Sequence, residues 1–316
     1  MIMEQGKANL DVFAETLLEL ARLDRDVLAV TSDSRGSGKL TAFGDALPGQ
    51  IIELGIAEQN VIGVAAGLAS AGKKVFATSP ACFLTARSFE QVKTDVAYSD
   101  QPVRIIGISA GVSYGALGAT HHSIHDFAAL RAIHNLTIIA PADNFETRET
   151  ILALHEIDHP VYVRFGKAAM RHVHSAGDSF TIGKAAQIQD GSDLTFIACG
   201  ETVALALGAA QQLAAQGLSC RVLSMHTIKP LDEEAVLRAA GETGAILTVE
   251  EHSVFGGLGE ACAAVLLQSS APKVPFKIVA FPDEHMVSGS QTEIFNHYGL
   301  SISGLVESAR QLIARK

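Results

Sequence analysis

Residues 9–31 read Asn9-Leu-Asp-Val-Phe-Ala-Glu-Thr-Leu-Leu-Glu-Leu-Ala-Arg-Leu-Asp-Arg-Asp-Val-Leu-Ala-Val-Thr31. Leu10, Phe13, Ala14, Leu17, Leu20 and Ala21 recur at the i, i+3, i+4, i+7 spacing of an amphipathic helix. Directly after it, Val27–Thr31 is the short apolar run expected of a strand buried on both faces. The alternation then repeats. Strands are expected at 51–54, 74–78, 103–109, 136–140 and 161–165, with helices at 59–71, 83–98, 127–132 and 146–156. Residues 167–191 are more polar and less regular, and read as a connection between domains with an edge strand at 180–183. Beyond them the pattern restarts, with strands at 194–199, 220–224, 245–250 and 276–280 and helices at 203–215, 233–240, 259–268 and 302–314. Strands alternating with helices predict an α/β protein built on parallel sheets covered on both faces. Two open-sheet domains in series are expected, over residues 1–175 and 176–316.

Composition narrows the function classes. Lys and Arg number 24 against 34 Asp and Glu, a net charge of −10, which argues against broad nucleic-acid or anionic-membrane binding. Cys82, Cys199, Cys220 and Cys262 are widely spaced with no CxxC pair, the pattern of buried thiols in a reducing cytoplasm rather than of a disulfide framework or zinc site. Residues 1–7 have no apolar core of a secretory signal. The most apolar helical stretch, 61–72, ends at Lys73-Lys74 and is too short to span a bilayer. A cytoplasmic protein is expected.

In open α/β sheets ligands bind beyond the carboxyl ends of the strands, so the loops after strands hold the candidate site. Thr31-Ser-Asp-Ser-Arg-Gly-Ser-Gly-Lys39 offers hydroxyls, two cations and permissive glycines, a set suited to a phosphate or sugar and equally to a solvated turn; P-loop spacing is absent. Glu58 opens a helix of small apolar residues. It reads either as a first-turn acid favoured by the helix dipole or as a partly desolvated carboxylate suited to sharing a proton near neutral pH. Phe83 begins a helix at a strand end, where a planar ring can stack on it, whereas Phe89 reads as core. The glycine-rich Gly111–Asp126 segment holds His121, His122 and His125 and lacks metal-ligand spacing, which points to acid–base or hydrogen-bonding work. Glu250-Glu251-His252 also follows a strand and reads as structural or interfacial.

Eight blocks in order carry a resemblance: Asp33; Gly55-Ile-Ala-Glu-Gln-Asn60; Phe83 with Arg87 and Glu90-Gln91; Gly118-Ala-Thr-His-His122; Pro141-Ala-Asp143; Tyr162-Val-Arg-Phe-Gly166; Lys229-Pro-Leu-Asp232; and Glu250 through Gly259. The chain resembles, over nearly its whole length, the pyrimidine-binding and C-terminal domains of a transketolase. That group of thiamine-diphosphate enzymes also holds deoxyxylulose-phosphate synthase and the β subunits of oxo-acid dehydrogenases. The Gly-Asp-Gly motif with which such enzymes hold diphosphate and metal is absent from the sequence. The resemblance is therefore to the C-terminal subunit of a split transketolase.

The resemblance implies roles for particular residues. Glu58 corresponds to the catalytic glutamate that hydrogen-bonds N1′ of the aminopyrimidine, and Phe83 to the residue that stacks on it. Asp33 and Arg87 fall near the cofactor. His121, catalytic in this reading, corresponds to a histidine that contacts the substrate, with His122 beside it. Arg164 corresponds to an arginine that binds a sugar phosphate, with Ser37 and Arg35 as helpers. An N-terminal partner subunit is implied to hold the diphosphate and an Mg2+ or Ca2+ ion, in an α2β2 heterotetramer in which this chain also self-associates. The second domain is expected to serve assembly and to contribute little to the cofactor site. The expected reaction moves a two-carbon ketol unit from a ketose, phosphorylated in this reading, to an aldose; a deoxyxylulose-phosphate-synthase-like or oxo-acid dehydrogenase β-type subunit and a non-catalytic scaffold are the alternatives. Ala116-Leu117 and Ser109-Ala110 stand where many transketolases carry acids and a histidine, so an altered sugar substrate is expected.

Overall fold

The computed structural model describes residues 3–175 and 177–314. The expected domain boundary between 175 and 176 touches Ala176, which lies outside the described residues. The chain runs through β1 (Gln5–Ala8), α1 (Asn9–Leu23), β2 (Val27–Thr31), α2 (Thr41–Ala46), β3 (Ile51–Glu53), α3 (Glu58–Ser70), β4 (Lys74–Pro80) and α4 (Ala81–Arg87). Next come α5 (Phe89–Gln91), a π-helical stretch Val92–Tyr98, β5 (Arg104–Ile108), a 3-10 turn Gly115–Leu117, α6 (Asp126–Arg131), β6 (Thr137–Ile139), α7 (Asn144–Glu156), β7 (Val161–Arg164) and β8 (Ala169–Arg171). The remainder is β9 (Ala186–Gln189), β10 (Leu194–Ala198), α8 (Thr202–Ala214), β11 (Cys220–Ser224), β12 (Thr227–Lys229), α9 (Glu233–Glu242), β13 (Ile246–Ser253), α10 (Leu258–Gln268), β14 (Phe276–Phe281), α11 (Gln291–His297) and α12 (Ile302–Ile313).

Among the described residues the strands form two large sheets, ordered β12-β6-β7-β5-β4-β2-β3 and β14-β13-β10-β11-β9, and a small β1–β8 ribbon. Neighbours in the large sheets are parallel except at β12 and β9, each antiparallel to its partner. β2, β5, β6, β7 and β10 are buried at every position, as strands of a sheet with helices on both faces must be. α1 buries the stripe read from its spacing: Leu10, Phe13, Ala14, Leu17 and Ala21 join a core with Phe76 and Phe165, and the Phe13 and Phe165 rings stack at 5.6 Å. Burying one such ring stabilises the fold by about 2–3 kcal/mol.

Three differences from the expected elements have physical causes. The helix expected over 83–98 is interrupted after Arg87, where the Ser88 hydroxyl donates to the Leu84 carbonyl, a back-bond that bends helices. The edge strand expected at 180–183 does not form. Gly183 turns in the left-handed region (φ +85°), Lys184 N–H closes a turn on Thr181, and β9 takes the edge instead. β12 leaves the second half of the chain and pairs with β6, so the larger sheet is built from both halves.

The halves also meet through buried charge. Arg164, at the end of β7, donates Nη1 to both oxygens of Asp126 (2.9 and 3.2 Å) and Nη2 to the backbone carbonyl of Glu251 in β13 (2.8 Å). The Tyr162 hydroxyl donates to the same Asp126 at 2.8 Å, and the Phe127 ring lies 4.3 Å under the guanidinium. Nearby, Glu146 in the first turn of α7 accepts the Ser224 hydroxyl of β11 (2.6 Å) and the Ala142 N–H (2.6 Å). Burial pushes the Glu146 carboxyl up to about 7, against the opposing pull of His174, and pushes Glu250 up to about 7 as well.

Removing one partner of a buried ion pair strands the other charge, so Asp126→Ala is expected to cost about 3–5 kcal/mol, read by urea unfolding. Because the two glutamates bind protons more tightly folded than unfolded, their stabilising effect is complete below the unfolded carboxylate value and is lost as pH rises to about 7. Unfolding midpoints between pH 5 and 7.5 should show this decline, and Glu146→Gln should flatten part of it.

Candidate functional site

Glu58 is the first residue of α3, at the carboxyl edge of the larger sheet, and is 4% exposed. Behind it Val61, Ile62, Ala65 and Ala66 pack into the core, small enough to bring the helix close to the strands. α4 starts directly from β4, which sets Phe83 in its first turn and Arg87 one turn on, on the same face. Arg87 Nη1 donates to both Glu58 oxygens (2.9 and 3.0 Å) while its guanidinium carbon lies 4.0 Å over the Phe83 ring. The His121 ring meets Phe83 edge-on at 5.2 Å and Tyr114 at 5.3 Å, and the Thr120 hydroxyl lies 2.9 Å from His121 Nδ1.

A cavity of about 430 Å³ opens beside this group, lined by Phe83, Arg87, Thr120, His122, His125 and Met286 among others. Glu58 and His121 border this lining rather than join it, touching Arg87 and Phe83 respectively. His122 Nε2 faces the Gly115 carbonyl at 2.9 Å; a carbonyl only accepts, so Nε2 carries a hydrogen and Nδ1 is left for another partner. Among the described residues His122 Nδ1 and His125 Nε2 are buried without a hydrogen-bond partner, a costly state that a bound polar molecule would relieve.

The other predicted residues lie elsewhere. Asp33 is exposed at the end of β2 in the left-handed region (φ +53°), its N–H donating to Glu53 at 2.5 Å. Ser37 is exposed, and its hydroxyl donates to the Ser34 carbonyl (3.2 Å). Arg35 pairs with Asp45 at 2.5 Å. Arg164 does not face the cavity: it is 7% exposed, and its guanidinium is engaged by Asp126 and the Glu251 carbonyl. The structure adds residues that the sequence reading missed. Met286 of the loop after β14 lines the cavity, and Gly289 lies against Gly115 of the histidine loop, so the second domain does form part of the wall. No spacing in 282–290 signals this, because the approach is made only in three dimensions.

The carboxyl edge of the larger sheet thus sets a buried carboxylate and an aromatic face around the planar Arg87 guanidinium, beside the partnerless nitrogens of His122 and His125, a set that fits a planar nitrogen-bearing ring. Comparison with known proteins shows the family. Residues 5–172 match the transketolase pyrimidine-binding domain, and residues 183–305 the transketolase C-terminal domain. The chain is 51% identical over 304 residues to an apulose-4-phosphate transketolase subunit of Phocaeicola vulgatus, covering 96% of each. It is 38% identical over 306 residues to the 6-deoxy-6-sulfo-D-fructose transketolase subunit of a Clostridium species, covering 97% of this chain and 94% of that one. A solved split-gene transketolase, described as an inactive beta4 tetramer, matches with a TM-score of 0.87 at 34% identity over 98% of this chain and 99% of that one. The chain belongs to the transketolase family of thiamine-diphosphate-dependent transferases.

The residues present fit that cofactor's pyrimidine half. The Arg87 guanidinium lies between the two groups a flat ring would meet, stacked on Phe83 and hydrogen-bonded to the Glu58 carboxylate. An incoming ring therefore meets a carboxylate and an aromatic face already set for a planar donor. Among the described residues no helix is long and apolar enough to cross a membrane, no cluster of side chains is arranged to hold a metal ion, and the four cysteines are free and buried.

Proposed function

We propose that this chain is the pyrimidine-side subunit of a two-subunit cytoplasmic transketolase that moves a two-carbon ketol unit from a phosphorylated ketose to an aldose. The observation that carries the reading is the Glu58–Arg87–Phe83 arrangement at the carboxyl edge of the larger sheet. Thiamine diphosphate, when bound, supplies a nucleophilic carbon and an electron sink for cleaving the bond beside a ketose carbonyl. Glu58 would hold the pyrimidine edge by sharing a proton with ring nitrogen N1′, in surroundings dry enough for that hydrogen bond to be strong. Phe83 presents the stacking face once Arg87 turns aside to the rim, where its charge stays near the cofactor. Asp33, in the loop after β2, is assigned to the cofactor side by its position in the 31–39 block of sequence. His121, with Nδ1 occupied by Thr120, offers Nε2 to the substrate, and His122 offers Nδ1.

The sugar phosphate is assigned to Ser37 and Arg35. The Arg35–Asp45 pair is 37% and 72% exposed, and a pair so open to solvent contributes under about 1 kcal/mol, so a phosphate can displace Asp45. Arg164 is reassigned from phosphate binding to joining the two halves, because its donors are engaged inside the chain. A partner subunit is assigned the diphosphate and the Mg2+ or Ca2+ ion, in an α2β2 complex with contacts between copies of this chain. The relatives named as subunits, matched nearly end to end, support that division. Ser109-Ala110 and Ala116-Leu117, in place of polar family residues, support a substrate other than the common pentose phosphates. Apulose 4-phosphate, from the name of the relative at 51% identity, is the first candidate.

The test is reconstitution with the partner subunit. Glu58→Ala is expected to lower turnover by at least about 10²-fold; unchanged turnover would remove the catalytic assignment. Apulose 4-phosphate is expected to be cleaved with a higher kcat/KM than xylulose 5-phosphate or 6-deoxy-6-sulfofructose. Carbon dioxide release from pyruvate without ketol transfer would replace this reading with the decarboxylating one.

A further inference from the structure

The loop that carries His121 and His122 is closed at its neck by Gly111 and Ser123, which exchange both backbone hydrogen bonds (3.2 and 2.7 Å). The first domain holds the residue before the neck, Ala110 N–H donating to the Phe165 carbonyl (2.9 Å), and the second domain holds the residue after it. Val112 N–H, the residue after the neck, donates at 2.8 Å to Oε1 of Glu251, 139 residues further along the chain in β13. Glu251 is 3% exposed. Gln291, opening α11, donates its amide to the same Glu251 oxygen (3.0 Å) and to Glu201 Oε2 (2.9 Å). Gly111 adopts φ +61°, and a Cβ there would fall 2.1 Å from the Glu251 carboxyl carbon. Both the turn and the approach therefore require glycine. The contact is close, directional and charge-assisted, and it joins the second domain to the loop that faces the cavity.

We propose that Glu251 is a positioning residue for ketol transfer: by holding Val112 N–H, it lets the second domain set where His121 and His122 stand over the cavity. The inference rests on the transferase reading only for what the histidines contact. A carboxylate is a costly choice for a buried site, and an apolar residue of similar volume would pack without that penalty. What the carboxylate adds is a strong acceptor for the loop and attraction toward Arg164, whose Nη2 stands 3.8 Å from Oε2.

The surroundings make the contact sensitive to pH. Arg164 from β7 faces Asp126 from α6, Glu251 from β13 and Glu201 at the start of α8, with Gln291 of α11 between the two glutamates. One guanidinium cannot neutralise three carboxylates. Burial, and then the Glu251 charge, raise the Glu201 carboxyl, and burial raises Glu251 itself. When Glu201 loses its proton on the alkaline side, it places a like charge beside Glu251, across the Gln291 amide that donates to both. The loop then loosens, and ketose KM rises with pH more than kcat falls.

The test combines amide hydrogen exchange on this chain with steady-state kinetics of the reconstituted enzyme. Glu251→Ala is expected to speed exchange across 111–123 by about tenfold, equivalent to about 1.4 kcal/mol, with β2 and β4 unchanged. Ketose KM should rise by about tenfold, with thiamine-diphosphate affinity within about twofold. Glu251→Gln keeps a carbonyl acceptor for Val112 and should restore most of the loop protection and the lower KM. If Glu251→Ala fails to fold, Gln291→Ala is expected to give a smaller loss of protection in the same loop. Glu201→Gln should abolish the alkaline rise in KM. Unaltered loop exchange and KM in folded Glu251→Ala, or a fall in kcat and stability with KM constant, would overturn the positioning role. An enzyme that transfers no ketol unit to any acceptor would overturn the transferase reading instead, and the exchange measurement would still decide what Glu251 does.

Discussion

Arg164 is the constraint on which the joined architecture depends. A guanidinium cannot lose its proton in a protein, so a buried one must be met on every side. Asp126 meets it from the histidine-loop side, the Glu251 carbonyl from the second domain, and the Phe127 face from below. Each of those groups is itself tied to something functional. Asp126 begins the helix that ends the histidine loop, and Glu251 holds the neck of that loop. A single charge at the end of β7 thereby couples the placement of two domains to the shape of one cavity wall. Arginine suits the position because its planar fork reaches a carboxylate and a carbonyl at once, which a lysine ammonium on its flexible stem would do less rigidly.

The Glu58–Phe83 part of the candidate site depends on much more local order. Glu58 and Phe83 each stand where a parallel strand hands over to a helix, and the distance between them follows from the pairing of β2 with β3 and β4. Strand pairing is stiff, so this part of the site is preorganised by the sheet rather than by loop packing. The histidines differ: their loop has little regular structure and depends on contacts made from outside it. Rigid placement of Glu58 and Phe83 and adjustable support for the histidines suit a family whose relatives are named for different sugars.

Much of the fold was readable because its strands are buried on both faces and its helices are amphipathic. α1, β2, β11 and α9 carry those patterns in their own residues, and local pattern decides such elements. β12 was not readable, because three residues pair with a strand far back in the chain and no local periodicity marks that choice. The same distinction separates the site residues. Glu58, Phe83 and His121 sit in compact blocks with recognisable neighbours, and the structure brings them together through Arg87 and the Phe83 ring. Arg164 was legible as a notable residue but not in its surroundings, since its partners come from α6 and β13. Met286 had no signal at all. Its contribution arises from how one loop lies against another.

The strand that the second half lends to the first sheet also bears on how this chain can be divided. β12 covers the outer edge of β6, whose backbone would otherwise present unpaired N–H and C=O groups to solvent. A fragment ending in the 175–183 connection would carry every residue named for the cofactor and still expose that edge, an open template for sheet-to-sheet aggregation. The two family-matched halves thus share one sheet. Engineering that exchanges the second domain among relatives has to carry over residues 227–229 together with the register they make against 138 and 139.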